Sequence, residues 1–261
     1  MKKYISLFLA ALMLLSLLAG CGKKSDGGDG TRTLVLRNTA GLSTNDPHAT
    51  TNTHDYTVFE NIYEGLYDLN EATGGYDLRL AEKVEANDDA TEYTVTLKQG
   101  VKFHNGETMT ADDVVFSYAH AQKDAHMGSY CRPLDHVEKV DDYTVKIVMN
   151  QPFSPIGHML HKVKIMSKKG VEELGNDFGK VPNKVGTGPY MWDENNYNPL
   201  SSWSAVAFED YHRGKAKIEK ITWNVIADDT SAITALQNGE LDYMVVPISY
   251  WGDIKASNKF K

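Results

Sequence analysis

Residues 80–118 read LAEKVEANDDATEYTVTLKQGVKFHNGETMTADDVVFSY, and most of the fold can be argued outward from them. Tyr93, Val95 and Leu97 alternate with Thr94, Thr96 and Lys98, the period of a strand with one buried face. Gly100 ends that strand. Asn105-Gly106 is the dipeptide that most readily supplies two positive φ angles, so a tight turn is expected there. Thr110 precedes Asp113 by three residues, a capping-box start that satisfies helix amides and puts negative charge at the N-terminus. Ala111, Val114, Val115, Tyr118 and Ala119 then share one helical face. No side chain here points to catalysis. The stretch is a folding module.

Upstream, Leu34-Val35-Leu36 is a candidate buried strand, and Asn38 to His48 is turn-rich, with a bend at Asp46-Pro47. Val58, Phe59, Ile62, Tyr63 and Leu66 recur at helical spacing, with Gly65 near the helix end. Downstream, Val137 to Met149 reads as a hairpin around Asp141-Asp142. Ile156, Met159, Leu160 and Val163 are helical in spacing, and Ser167 caps a short helix ending at Leu174-Gly175. Gly186-Thr187-Gly188-Pro189-Tyr190 demands a bend or a close backbone approach. Ile221, Trp223 and Val225 alternate as a strand. A helix capped by Asp229 or Thr230 runs through Asn238 to Gly239, and Leu241 to Val246 is a second apolar strand. Strand, helix and strand form a right-handed βαβ unit, which predicts a parallel sheet. Such sheets bind ligands at the carboxyl ends of their strands, so the loops after Leu36 and Val246 are candidate sites.

Several of these segments, in this order, resemble one family. They are Asn61–Leu69 (NIYEGLYDL), Leu80-Ala81-Glu82 with Lys98–Gly106 and Thr110–Val114, Gly186–Tyr190, and Gln237–Asp242. Together they are similar to the solute-binding proteins of peptide- and nickel-type ABC importers, bacterial extracellular family 5. The resemblance runs from about Leu34 to the C-terminus. It implies an α/β fold, the type II periplasmic-binding-protein-like first lobe, made of 33–49 and 185–261, with an inserted α+β domain over 50–184. It also implies a second lobe beyond Lys261, so the chain reads as the N-terminal part of a longer two-lobed protein. The function implied is capture of dipeptides or oligopeptides and delivery to a membrane permease with its ATPase. A peptide sensor of the same fold, or a binder of nickel or an oligosaccharide, stays open as an alternative.

The 261 residues carry 27 basic and 35 acidic side chains, a formal charge of −8. That balance argues against nucleic acid as a partner, because such affinity rests on lysines and arginines at phosphates. Lys2-Lys3, the apolar run Tyr4–Leu18 and Leu18-Ala19-Gly20-Cys21 make residues 1–20 a secretory signal. Its ending resembles the bacterial lipobox, which implies lipidation of Cys21. Residues 21–32 are then a flexible tether, and the expected location is the outer face of the cytoplasmic membrane, held by lipid.

The sequence carries no catalytic motif. There is no Gly-x-Ser-x-Gly, His-Glu-x-x-His, Cys-x-x-Cys or dinucleotide motif. The carboxylate pairs Asp88-Asp89, Asp112-Asp113 and Asp141-Asp142 sit at turns and helix starts, where local hydrogen bonding accounts for them. His158 and His161 fall three apart on a predicted helix, but with no third ligand in view the reading is packing, and no metal or other cofactor is expected. His104, in the module's turn, is expected to be structural, and Cys131 a small buried residue. The candidate ligand-binding residues are Ala40, Gly41, Leu42 and Ser43 after the first strand, Pro247 and Ile248 after the last, and the loop aromatic Tyr130.

Overall fold

The computed structural model describes residues 32–257. The expected signal, Cys21 and most of the tether lie outside the described residues. Among the described residues no helix is long and apolar enough to cross a membrane.

The first strand, β1 (Thr33–Asn38), follows the Leu34–Leu36 run, and the next element is the helix α1 (Thr53–Ile62). The helix stops four residues short of Leu66, and Tyr67–Asn70 (β2) instead pairs with Gly75–Leu78 (β3) as a hairpin. The reason is tertiary. A Cβ on Gly65 would stand 2.6 Å from the backbone oxygens of both Leu160 and His161, so the chain passes there in extended form, bridged to Lys164.

The module forms an antiparallel sheet from β4 (Ala81–Ala86), β5 (Glu92–Leu97), β6 (Leu134–Asp141) and β7 (Thr144–Met149), in the order β4-β5-β7-β6. The helix α2 (Ala111–Lys123) lays Val114, Tyr118 and Ala121 into one core with Val95, Leu97, Val145 and Ile147. Asp113 Oδ2 accepts the Thr110 N–H at 2.9 Å, as the capping spacing predicts. Its Oδ1 takes the Lys168 N–H at 2.9 Å, which ties α2 to a later helix. The Asn105-Gly106 turn is present in another form. Gly106 has φ 87°, while the only non-glycine positive φ among the described residues is at Ala90. Gly106 N–H donates to Phe103 O and Phe103 N–H to Glu107 O, a longer loop with one left-handed residue.

After α3 (Gly157–Lys162) and α4 (Lys168–Leu174), the latter capped by Ser167 Oγ on Gly170 N–H at 3.0 Å, the chain returns to the first sheet. The strands β8 (Tyr190–Asn198), β9 (Ser202–Ala207) and β10 (Lys220–Val225) are antiparallel to one another, and β10 is parallel to β1, giving the order β1-β10-β9-β8. Trp192, Trp203 and Trp223 from this sheet pack with Val58, Phe59 and Ile62 of α1. The sheet is therefore mixed, where the sequence predicted a parallel one.

The helix α5 (Asp229–Asn238) is capped one residue earlier than expected, with Asp228 Oδ1 accepting the Ser231 N–H at 2.8 Å. Gly239 closes it in the left-handed region at φ 76°. The predicted strand at Leu241–Val246 is reduced to a short run beside β1. Asp242 N–H donates to Val35 O at 2.8 Å, Arg37 N–H donates to Tyr243 O at 3.3 Å, and Leu36 and Tyr243 form a single parallel bridge. Leu241 and Met244 pack under α5, whereas Tyr243 and Val245 face outward. Alternating chemistry gives a strand only where a second edge exists to pair with. The last helix, α6 (Trp251–Ala256), adds Ile254 to the α5 cluster.

The glycine turn locks these parts together. Ile62 O accepts the Gly188 N–H at 2.9 Å, Gly186 O accepts the His104 N–H at 2.9 Å, and His104 Nε2 donates to Gly188 O at 3.0 Å. A Cβ on Gly186 would lie 2.2 Å from Ile62 O. We expect Gly186→Ala to lower stability by about 2–3 kcal/mol, since the blocking atom is backbone. Urea midpoints check this, and an unchanged midpoint contradicts it.

Burial holds the His104 ring neutral and pushes its pKa down to about 4, against the pull of the Gly188 carbonyl and Glu64. Burial also pushes the pKa of His48 down to about 4. In the unfolded chain both rings bind protons below about pH 6.5, but in the fold only near 4. Stability is thus full above pH 6.5 and falls as pH drops toward 4. His120, its pKa raised by its bond to Asp46, works in the opposite direction, one ring against several, since burial also lowers His158 and His161. Denaturant midpoints are expected to fall from pH 7.5 to pH 5, and a flat or rising series contradicts this.

Candidate functional site

A depression of about 470 Å³ opens at the carboxyl ends of β1 and β10, within the size range of small-molecule sites. Its floor is the end of β1, Leu36 to Thr39, with Trp223 of β10. Thr53, His54 and Thr57 from the first turns of α1 form one wall, and Tyr243 and Val245 form the rim. The rim side chains are 59% and 77% exposed, apolar surface offered outward.

The local sequence explains why this end of the sheet is ordered. Arg37 is 4% exposed in its side chain and bonds through two of its three nitrogens. Its Nε donates to Ile226 O at 2.8 Å, while Nη2 donates to Ala227 O at 3.0 Å and to Asp229 Oδ1 at 2.7 Å. This clamps the end of β1 to the start of α5 and leaves the Arg37 charge neutralised. Asn38 Nδ2 donates to His54 O at 3.2 Å, and Asn38 Oδ1 accepts the Thr39 N–H at 3.1 Å. Asp55, fully buried, accepts hydrogen bonds from Ser43 N–H and Oγ and from Thr50 Oγ1, so the loop after β1 is pinned to α1.

Past Tyr243 the neighbouring segment leaves β1, and the depression opens alongside Asn38 and Thr39. In a strand, alternate residues turn their backbone groups to the same side. Arg37 N–H bonds Tyr243 O on the side of that segment, Asn38 O accepts the Ile226 N–H on the other, and past Asn38 the chain bends, with the Thr39 N–H held by Asn38 Oδ1. The arrangement offers the uncovered side of a strand end, short polar side chains and an apolar rim.

The sequence-predicted residues lie around this depression rather than in its lining. Gly41 packs so that a Cβ would meet Pro199 O at 2.5 Å. Leu42 is buried, and its N–H donates to Pro199 O at 2.8 Å. Ser43 serves Asp55, and Ala40 is half-buried beside Thr39. Pro247 is half-buried and Ile248 is 92% exposed just beyond Val245. Tyr130 lies in the turn before β6 and packs against the other sheet's core, its ring 5.3 Å from that of His158. Sequence reasoning named the loop after Leu36 but not Thr53, His54 or Thr57. Only packing of α1 against the sheet brings them there.

A mixed α/β lobe with its open face at the carboxyl ends of parallel strands, beside an inserted antiparallel α+β module, is the architecture of a solute receptor. The chain belongs to the family described as bacterial extracellular solute-binding proteins, family 5, whose middle region matches residues 76–261. The glutathione-binding protein GsiB of Salmonella paratyphi A is 32% identical over 251 residues, covering 93% of this chain and 46% of that protein. The oligopeptide-binding protein AppA from Bacillus subtilis, solved with a nonapeptide, superposes with TM-score 0.78 at 26% identity, covering 88% of this chain and 47% of AppA. MoaA from A. tumefaciens R10, solved with mannopinic acid, gives TM-score 0.75 at 31% identity over 81% of this chain and 44% of MoaA. The fold is thus the type II periplasmic-binding-protein first lobe with its inserted module, and the chain spans about half the length of the relatives it matches.

Proposed function

We propose that this polypeptide supplies the first-lobe wall of an importer's receptor for small peptides, of glutathione size and upward, and that the peptide lies extended along the end of β1. The observation that carries this reading is the depression beside β1, where the Tyr243 segment parts from the strand past Arg37 and leaves that side of its end uncovered. Main-chain bonds along such an edge hold a peptide of any sequence, and the flanking side chains select among them. The charge of Arg37 is already used, which suits a ligand bound through its backbone.

In this proposal residues 33–49 and 185–261 form the lobe, and 50–184 is the inserted domain. Cys21 carries the lipid that holds the receptor on the outer face of the cytoplasmic membrane, where a permease and its ATPase receive the solute. The mannopinic acid complex of MoaA favours a second reading, a small polar non-peptide solute at the same place.

Calorimetry with glutathione, an oligopeptide pool and mannopinic acid tests both, with the mass of the mature N-terminus reporting acylation at Cys21. Peptide binding is expected, weakened about tenfold by Tyr243→Ala because a rim aromatic contributes about 1.4 kcal/mol. Binding of mannopinic acid without any peptide overturns the first reading in favour of the second.

A further inference from the structure

A second group of side chains lies under the β2–β3 hairpin, outside the depression. Glu60 on the last turns of α1, Asp68 on β2 and His161 on α3 place ligand atoms all within 4.8 Å of one another. Each carboxylate is already paired along one oxygen. Lys164 Nζ donates to Glu60 Oε2 at 2.9 Å, and Arg79 pairs with Asp68 Oδ2. The second oxygen of Glu60, Oε1, faces His161 Nε2 at 3.8 Å, beyond hydrogen-bond reach.

His161 itself is 5% exposed, and its Nδ1 has no hydrogen-bond partner. Burial first, and then the positive charge of Lys164, pushes its pKa down to about 4 against the pull of Glu60. An imidazole set against two carboxylates brings a nitrogen donor to the group. Glu60 Oε1 and His161 Nε2 face each other without a hydrogen bond, a gap that a cation held between them and Asp68 would fill.

Imidazole with carboxylates is a donor set suited to zinc and its neighbours. Lys164 and Arg79, on the outer oxygens, orient the two acids as metal-site partners do. A cavity of about 60 Å³ adjoins Glu60 and Asp68, with Arg79 and Lys164 also in its lining and His161 outside it, and it has room for water beside the two acids. We propose that Glu60, Asp68 and His161 form a binding site for one divalent transition-metal ion of the zinc class. Bound there, the ion ties α1, β2 and α3 together, three elements whose mutual placement sets the hairpin.

The other histidine and carboxylate group, Asp46, His48 and His120, is closed by its own bonds. His120 Nε2 donates to Asp46 Oδ2 at 2.8 Å, and His48 Nε2 accepts the Lys164 N–H at 3.1 Å. A metal on His48 Nδ1 would need an imidazolate, because the other nitrogen already serves as an acceptor.

The test is calorimetric titration of chelator-treated protein with Zn²⁺, read alongside histidine-selective NMR of the wild type. One ion per chain is expected, with the His161 ring signals shifting in step with occupancy. His161→Gln and Asp68→Asn are expected to weaken binding by about tenfold or more, while His158→Gln and His120→Gln leave it within about twofold. Glu60 is left intact because it also neutralises the buried Lys164. Absence of zinc binding overturns the proposal, as does binding that shifts no His161 signal in the wild type. Binding lost with His120→Gln but kept with His161→Gln overturns it too, assigning the ion to the other group. The wild-type NMR keeps the result decisive if a variant fails to fold.

Discussion

The two halves of this molecule are held together through one buried carboxylate. Glu64 lies just past the end of α1. Its Oε1 accepts a hydrogen bond from Tyr211 Oη at 2.8 Å, and its Oε2 lies 3.0 Å from both His212 Nε2 and Thr187 Oγ1. Arg79, from the start of the inserted sheet, stands 3.5 Å from Oε1. Burial by itself would raise the Glu64 pKa. The hydrogen bonds from His212 and Tyr211, with the charges of His212 and Arg79, outweigh it and hold the carboxyl below its usual range. A buried charge left without such partners costs about 3–5 kcal/mol, so these segments are obliged to meet. One is the hairpin leading into β4, and the others are the glycine turn and the loop after β9. Where they meet, the sheet of Trp192, Trp203 and Trp223 and the sheet of Val95 and Ile147 become one body.

That junction also sets where the depression lies. With the glycine turn fixed on the end of α1, the helix runs back across the first sheet, and its first turns reach the carboxyl end of β1. Arg37 then fixes the same strand end to α5, and the crossover delivers Tyr243 beside Leu36 and no further. The depression is what remains open between these constraints. Its position follows from topology, while its lining follows from which short side chains fall at the ends of β1 and α1.

Much of this was legible in the chain because it is local. The alternation at Tyr93–Leu97, the Thr110–Asp113 cap, the turn at Asp141-Asp142 and the Ser167 cap each depend on neighbours a few residues away, and each is found. What was not legible depends on distant partners. Helix α1 ends at Ile62 because Gly65 must pass the carbonyls of Leu160 and His161, nearly a hundred residues later. Leu241–Val246 has strand chemistry but only a short edge to pair with. The sequence points to the loop after Leu36, yet His54 and Tyr243 come beside it only through packing. His161 stood out as half of an incomplete ligand pair. Glu60 and Asp68 reach it from two other elements, and no spacing in the sequence announces that.

The account rests on the end of β1 being the edge that receives a peptide. Amide hydrogen exchange, followed residue by residue with and without saturating glutathione or oligopeptide, reads this directly. Slowed exchange at Asn38–Ala40 and at Asp242–Val245, with the β4-β5-β7-β6 sheet unchanged, is the predicted result. Protection confined to that second sheet, or binding that leaves the amides at the end of β1 unaffected, would contradict it.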